Sequence, residues 1–217
     1  ANFGSGDANE ELGRASDSGA PLAPCVIDFT SGATSVGNNV FEMTAPAAIP
    51  TGITGSGTAF VEGRPNVDLG DGPESVAVAG VGKSFGITDA EPVARRLINE
   101  IDKCNDCHKT LALHGDNRVG NTELCATCHN PNATDINRRV AGSECDTELG
   151  LDDVSIDLKR MVHRIHAGNV GVCGYRNTAH DYTDVVYPGK LNNCEGCHLA
   201  GTYYPVDPTS VMGSTVD

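Results

Sequence analysis

The chain has no tryptophan, and aromatic residues make up only 5% of its 217 residues. It is instead rich in glycine and proline, with 26 and 11 residues, neither of which fills a core with a large side chain. A chain of this length normally folds around a sizeable apolar core. The shortage of large side chains therefore predicts that a bound group with apolar surface contributes to the packing.

Basic residues are also scarce: 15 lysines and arginines stand against 29 acidic residues, which gives a net charge of −14. Nucleic acids and anionic lipid surfaces need a basic protein face, so this charge argues against both as partners. No apolar run approaches the ~20 residues needed to cross a bilayer, and we expect no membrane span. The first residues lack the pattern of an export signal, as expected if that signal has been removed or if the chain is the ordered part of a longer one.

The composition changes twice along the chain and predicts three parts. Residues 1–24 are polar and follow no helical or strand period, which is typical of an extended arm. Residues 25–90 contain short β-prone runs separated by Gly, Pro, Asn and Asp, which predict a small β-rich domain arranged as a partial sandwich. Residues 91–217 begin with a linker at 91–103 and continue as an irregular domain of loops and short helices.

The clearest helical pattern of the third part runs from about 153 to 167. Its apolar residues recur on one stripe at a spacing near 3.6. They are Val154, Leu158, Met161, Val162 and Ile165. Asp152, Asp153 and Ser155 are candidate N-caps, and Gly168 stands where the helix is expected to stop.

Three Cys-x-x-Cys-His motifs dominate the third part. Their cysteines are Cys104 and Cys107, Cys125 and Cys128, and Cys194 and Cys197, and their histidines are His108, His129 and His198. This pattern is the attachment signature of c-type haem. The cysteines form thioethers with the haem vinyl groups, and the adjacent histidine binds the iron as its proximal ligand. The sequence therefore predicts three haem c groups, each with its iron.

Zinc is the main alternative, because the first two motifs are separated by 17 residues and also fit a four-cysteine zinc pattern. Zinc explains neither the histidine that follows each motif nor the third cysteine pair, which has no fourth pair to complete a second site. Disulfides within the motifs leave the histidines unexplained as well. Haem is therefore favoured over both.

Four of the 7 histidines lie outside the motifs: His114, His163, His166 and His180. Three irons need three distal ligands, so the supply of imidazole allows two histidines on every iron with one left over. An iron with two protein ligands has no open position for a substrate. The histidine count therefore favours electron transfer over catalysis.

His163 and His166 are three residues apart on the predicted helix, so they project from the same side. If both are ligands rather than ordinary histidines of the polar face, two haems lie close together at this helix. His114 follows the first motif by six residues and is the third candidate ligand, which leaves His180 as the spare. The methionines, which could ligate iron in principle but are assigned to packing or the surface, are Met43, Met161 and Met212.

Three cysteines lie outside the motifs. Haem c is attached outside the cytosol, where disulfides persist, and Cys145 and Cys173 flank the predicted helix. We predict a disulfide between these two. Cys25 is then a free thiol, part of an intermolecular bridge, or the partner of a cysteine outside this chain.

Five stretches occur together in the order found in one protein family. They are SFGITDAEPVARR, CNDCHKTLALHGDNR, CATCHNPNATDINRR, DLKRMVHRIHAG and NNCEGCHLAGTYYPVD. Over about residues 60–208 the chain resembles the outer-surface multihaem cytochromes of metal-reducing bacteria (the OmcA/MtrC family). The resemblance implies a β-barrel or sandwich domain before a multihaem domain, and electron flow along stacked bis-His haems. It also implies that His108, His129 and His198 are proximal ligands and that His114, His163 and His166 are distal ligands.

We expect extracellular electron transfer by a protein that is exported through the periplasm and secreted or held at the cell surface. The expected partners are extracellular electron acceptors such as metal oxides, electrodes or other cytochromes. Relatives usually carry more haems on a longer chain, so the leading hypothesis makes this chain the repeating subunit of a polymeric filament (a nanowire). The N-terminal arm and the spare His180 would join the subunits. The alternatives are a monomeric carrier or a fragment of a larger surface cytochrome, followed by reduction of a small oxyanion at an open haem.

Overall fold

The computed structural model describes residues 26–45, 48–49, 51–207, 211 and 214. The predicted arm at residues 1–24, Cys25 and Met212 lie outside these residues. Short antiparallel strand pairs come first and short helices and loops follow, which confirms the predicted fold class. Among the helices described, none has the length and apolar character that crossing a membrane requires.

The N-terminal region contains a short helix and six strands. They are α1 (Phe29–Gly32), β1 (Thr34–Gly37), β2 (Val40–Glu42), β3 (Ser56–Val61), β4 (Asn66–Asp68), β5 (Pro73–Ser75) and β6 (Val81–Gly86). The strands pair as β1–β2, β3–β6 and β4–β5, all antiparallel. The β3–β6 pair is the longest, with register from Ser56↔Gly86 to Val61↔Val81. We call it the β3–β6 ribbon.

The predicted partial sandwich is absent from the described residues, because each sheet there has only two strands. Of the β-prone run at residues 75–80, only the first residue belongs to a strand. The backbone N–H of Gly80 donates instead to the Val119 carbonyl, 2.9 Å away, and so joins the region to the following domain. The β-prone run at residues 25–30 also differs from a strand where it is described, since Asp28 caps the short helix α1 by accepting a hydrogen bond from the Thr30 backbone N–H.

The C-terminal region is built from short elements joined by long loops. They are α2 (Ile101–His108), β7 (Ala112–Leu113), β8 (Arg118–Val119), α3 (Thr122–Cys128), α4 (Glu144–Leu149), α5 (Leu158–His166), β9 (Gly171–Cys173) and β10 (Ala179–Asp181), with 3-10 turns at Ile136–Arg138, Tyr175–Asn177 and Cys194–Gly196. The hairpins β7–β8 and β9–β10 are antiparallel. The predicted linker is partly helical, because α2 begins at Ile101.

Helix α5 begins later than its apolar periodicity predicts, at Leu158 with Asp157 as N-cap rather than Asp152, Asp153 or Ser155. The preceding residues are extended, and Ser155 forms a β-bridge with Thr134. Pairing with another segment therefore replaces the first turn of the predicted helix. The predicted stop is confirmed, since Gly168 has a φ of +62° and donates its N–H to the Ile165 carbonyl.

The buried apolar residues are few and small. Among the described residues they are Val119, Leu124, Ala133, Cys145, Val170, Val172 and Cys173. Cys145 and Cys173 form the predicted disulfide, with 5.8 Å between their Cα atoms. The disulfide joins α4 to β9, and both of its cysteines belong to this small core.

A buried ion pair lies beside the disulfide. The Arg139 guanidinium donates to one carboxylate oxygen of Asp135 through Nε and Nη2, at 3.0 and 2.7 Å, and both side chains are at most 1% exposed. Asp135 also accepts hydrogen bonds from the backbone N–H groups of Val154 and Cys173, both at 2.8 Å. The Asp135–Arg139 pair therefore ties the disulfide-linked strand to the segment that leads into α5.

Candidate haem centres

The first two motifs lie on short helices. On α2, Cys104 and Cys107 are three residues apart and so lie on one side of the helix, and His108 is its last residue. On α3, the same spacing places Cys125 and Cys128 on one side, and His129 is the C-cap. Asn121 caps the start of α3 by accepting a hydrogen bond from the Leu124 N–H. Each motif is thus a single helical turn with its histidine directly after the cysteines.

The third motif lies on the 3-10 turn Cys194–Gly196, with Cys197 as its C-cap. His198 follows and forms a β-bridge with Asn99, just before α2. All six motif cysteines are free of disulfides. They are therefore open to thioether formation.

Backbone carbonyls fix which ring nitrogen of four histidines is available. The Nδ1 atoms of His129 and His198 face the carbonyls of Ile156 and Ile98, at 2.9 and 3.2 Å. The Nδ1 atoms of His163 and His166 face carbonyls one turn earlier on α5. Because a carbonyl oxygen can only accept, Nδ1 must carry the proton and donate it. This leaves the Nε2 lone pair of each ring for a metal ion.

The six candidate ligands meet as three pairs, each with one motif histidine and one histidine from elsewhere. The ring centroids lie 6.0 Å apart for His108 and His166, 6.1 Å for His129 and His114, and 5.8 Å for His198 and His163. Two imidazoles on one metal, at about 2 Å from each nitrogen and about 1.2 Å from nitrogen to ring centre, would have centroids about 6.4 Å apart. These separations therefore fit an iron ion between each pair.

Burial favours the neutral form of the rings at the second motif. It lowers the pKa of both His129 and His114, and the nearby Arg118 lowers that of His114 further. A histidine must be neutral to ligate iron. Burial also raises the pKa of the Cys104 and Cys125 thiols, and an uncharged thioether suits such surroundings. The pKa shifts of these histidines and thiols therefore also fit haem c.

The first motif is in contact with the other two. Residues 98–99, just before α2, are the link: the Ile98 carbonyl faces His198, and the Asn99 side-chain oxygen accepts a hydrogen bond from Thr122 at the start of α3, at 2.5 Å. The Cys197 thiol is also near enough to Cys104 to raise its pKa. The first motif thus lies between the second and the third.

The distal candidates are held in two ways. His163 and His166 lie on α5, so this one helix serves two pairs. His114 begins the turn between β7 and β8. The spare His180 lies on β10 opposite Val172 and outside the three pairs. The His180 ring packs on the backbone of Gly174, because a Cβ added to this glycine would lie only 2.3 Å from the ring's Nε2.

Two tyrosines that the sequence patterns did not single out lie against the pairs. The Tyr187 ring is 5.7 Å from that of His166, and the Tyr203 ring is 5.2 Å from that of His198. Neither belongs to a motif, so only the tertiary structure reveals them. Of the methionines, Met43 packs against α1 at Gly32, which supports its assignment to packing.

Comparison with known protein families places the C-terminal region. A family model described as outer membrane cytochrome MtrC/MtrF-like, domains II/IV, matches residues 95–212, more than half of the chain. The match contains all three motifs and the three distal candidates. No curated protein and no solved structure gave a significant match.

Proposed function

The chain belongs to the family of MtrC/MtrF-like outer membrane cytochromes, and we propose that it carries electrons through three c-type haems, one on each Cys-x-x-Cys-His motif. Proteins of this family are multihaem cytochromes of the outer-membrane surface that carry electrons to extracellular acceptors and are not enzymes. Each iron would be held by two histidines.

The pairing of imidazoles is the observation that carries the proposal. Each motif histidine faces one further histidine at 5.8 to 6.1 Å between ring centroids, and the Nδ1 bonds direct Nε2 of four of these rings away from the backbone. A haem iron between two imidazoles gains and loses one electron without an open position for substrate. The chain's residues would hold the rings at fixed distances, so that little has to move when the charge changes.

The haem number is tested by the intact mass of the purified holoprotein, together with the haem-to-protein ratio from absorbance. We expect three haems per chain and low-spin spectra for all of them. A Cys194→Ala/Cys197→Ala variant should carry two haems, whereas the matched control Cys25→Ala should retain three. A colourless, zinc-containing protein, or a ratio other than three, would overturn the proposal.

We further propose that copies of the chain associate into a filament, as its repeating subunit. The N-terminal strands support this, because each is paired on one side only within the described residues. Their exposed side chains include large apolar residues. Val36, Val40, Phe41, Val61 and Val81 are 53%, 51%, 53%, 69% and 66% exposed. Open strand edges with apolar side chains favour strand addition from another chain.

The role of His180 in joining subunits is less favoured than the strand edges. Six other histidines would occupy both positions of all three irons, which leaves no iron in a neighbouring copy for His180. Electron microscopy and light scattering of the native protein test the assembly. Filaments that are lost in Phe41→Asp but kept in His180→Ala would support strand addition. A monomer at every concentration would instead support the diffusible carrier or the fragment of a larger surface cytochrome.

A further inference from the structure

The turn that carries His114 has an uncommon backbone. It joins the two-residue strands β7 and β8, whose register is Ala112↔Val119 and Leu113↔Arg118. His114, Gly115 and Asp116 have φ values of +55°, +64° and +64°. The left-handed region is unfavourable for residues with a side chain, and an isolated hairpin of this size is marginally stable. Other contacts must therefore hold the turn.

Those contacts come from the N-terminal region, directly after β3. The Arg64 guanidinium donates a hydrogen bond to the Gly115 carbonyl at 2.7 Å. The Glu62 carboxylate forms an ion pair with Arg118 at 2.5 Å, and both side chains are partly buried. One contact therefore holds the tip of the turn, and the other holds the strand that follows it.

The residue just before β6 also lies close against the base of the hairpin. The Gly80 N–H donates to the Val119 carbonyl at 2.9 Å, and the Asn121 side chain donates to the Gly80 carbonyl at 3.0 Å. A Cβ at Gly80 would lie 2.7 Å from the end of the Leu124 side chain, so a larger residue here would have to push that side chain aside. The residues that flank the β3–β6 ribbon thus contact the hairpin at its base as well as at its tip.

We propose that Arg64 and Glu62 are positioning residues for the distal ligand of the second haem, holding His114 where it faces His129. This inference rests on the proposed function, because it takes His114 as an iron ligand. The residues act through the turn: without them, the three left-handed residues relax and the imidazole leaves the iron.

The second site differs from the other two in what holds its distal histidine in place. The distal rings of His163 and His166 are fixed by Nδ1 bonds within their own helix, α5. His114 has no such bond in the described part of the chain and depends on a segment about 50 residues earlier, since Arg64 and Gly115 are 51 positions apart. Displacement of the β3–β6 ribbon therefore opens the sixth position of the second haem and leaves the first and third closed.

The test compares spin state and carbon monoxide binding among variants of the full-length holoprotein. His114→Ala is the reference, and should convert one haem in three from low spin to high spin and let that haem bind carbon monoxide when reduced. Arg64→Ala/Glu62→Gln should give a partial population of the same high-spin species, with carbon monoxide binding at least several-fold above the unmodified protein. Arg64→Lys, with Glu62 intact, keeps a cationic N–H donor at this position and should retain most of the low-spin form. Lys83→Ala, which removes a cation from β6 on the same ribbon, is the matched control and should remain low-spin.

The outcomes separate the inference from the proposed function. If His114→Ala stays fully low-spin, His114 is not a ligand and the assignment of the second site is wrong. If His114→Ala becomes high-spin while the double variant stays low-spin and does not bind carbon monoxide, only the positioning role is wrong. If the double variant folds poorly, the single variant Glu62→Gln decides by the same measurement, because it keeps the size of the side chain and removes only its charge.

Discussion

At the residue scale, the tertiary structure separates the roles of two neighbouring histidines. His163 and His166 are one turn apart on α5 and each donates to a carbonyl of that helix, yet they face different motif histidines, His198 and His108. Sequence spacing predicts that both point to one side, but it cannot predict which motif each one faces, because that depends on how the loops bring the motifs to the helix.

This pairing predicts distinct effects for the two histidines. His163→Ala should leave the third haem without its distal ligand, and His166→Ala should do the same for the first, so each variant should show one high-spin haem out of three. Electron paramagnetic resonance of the oxidised proteins counts the high-spin haems, and combining each variant with Cys194→Ala/Cys197→Ala identifies the haem. His180→Ala is the control and should remain low-spin. A high-spin signal in that control would mean that His180 is a ligand.

The buried Asp135–Arg139 pair is expected to contribute to the stability of the fold. Breaking such a pair by removing one partner leaves an uncompensated buried charge, at a cost of about 3–5 kcal/mol. Asp135→Asn should therefore lower the free energy of unfolding by about that amount, measured by denaturant titration, while the haem count stays at three. Arg138→Gln, an exposed neighbour, should change stability little. An unchanged free energy of unfolding in Asp135→Asn would show that the pair contributes no net stability.

At the element scale, the sequence predicts what lies within a few residues and misses what distant segments impose. The end of α5 just before Gly168 and the helical turns of the first two motifs follow from local patterns. The start of α5 does not, because residues 133–135 pair with the segment before it and the Ile156 carbonyl is used by His129. The strands of the β3–β6 ribbon were predictable from their β-prone runs, whereas their isolation from a larger sheet was not.

Because one helix carries two of the proposed distal histidines, breaking it should affect two sites together. Proline at position 164 removes a helix hydrogen bond and clashes with the preceding turn, which costs about 3 kcal/mol in a helix interior. We therefore expect Arg164→Pro to convert two of the three haems to high spin, measured by resonance Raman spectroscopy. Arg164→Ala loses the contact between Arg164 and the Asn169 carbonyl but keeps the helix, and should retain three low-spin haems. One high-spin haem in the proline variant would mean that the two histidines are held independently.

At the scale of the whole molecule, the small size of the core agrees with the proposal that haem contributes to the packing. Seven apolar residues are buried in the described part of the chain, and none of them is aromatic. Many large apolar residues are exposed, among them Leu97, Leu113 and Val162 at 50%, 49% and 39%. The composition predicted this shortage before any fold was known, since a chain without tryptophan and with 5% aromatic residues cannot fill a large core by itself.

Without haem, the C-terminal region should not keep its cooperative fold. Replacing all six motif cysteines by alanine prevents attachment, and the C-terminal region should then lose its cooperative unfolding transition, because the remaining buried apolar surface is too small to offset the conformational entropy of the long loops. Near-ultraviolet circular dichroism and the heat absorbed on unfolding measure the loss, and Cys25→Ala controls for the removal of a cysteine outside the motifs. The intact Cys145–Cys173 disulfide would keep α4 and β9 joined, so some local structure should persist around it. A haem-free variant that unfolded as cooperatively as the holoprotein would show that the chain's own side chains suffice for the fold and that haem adds function alone.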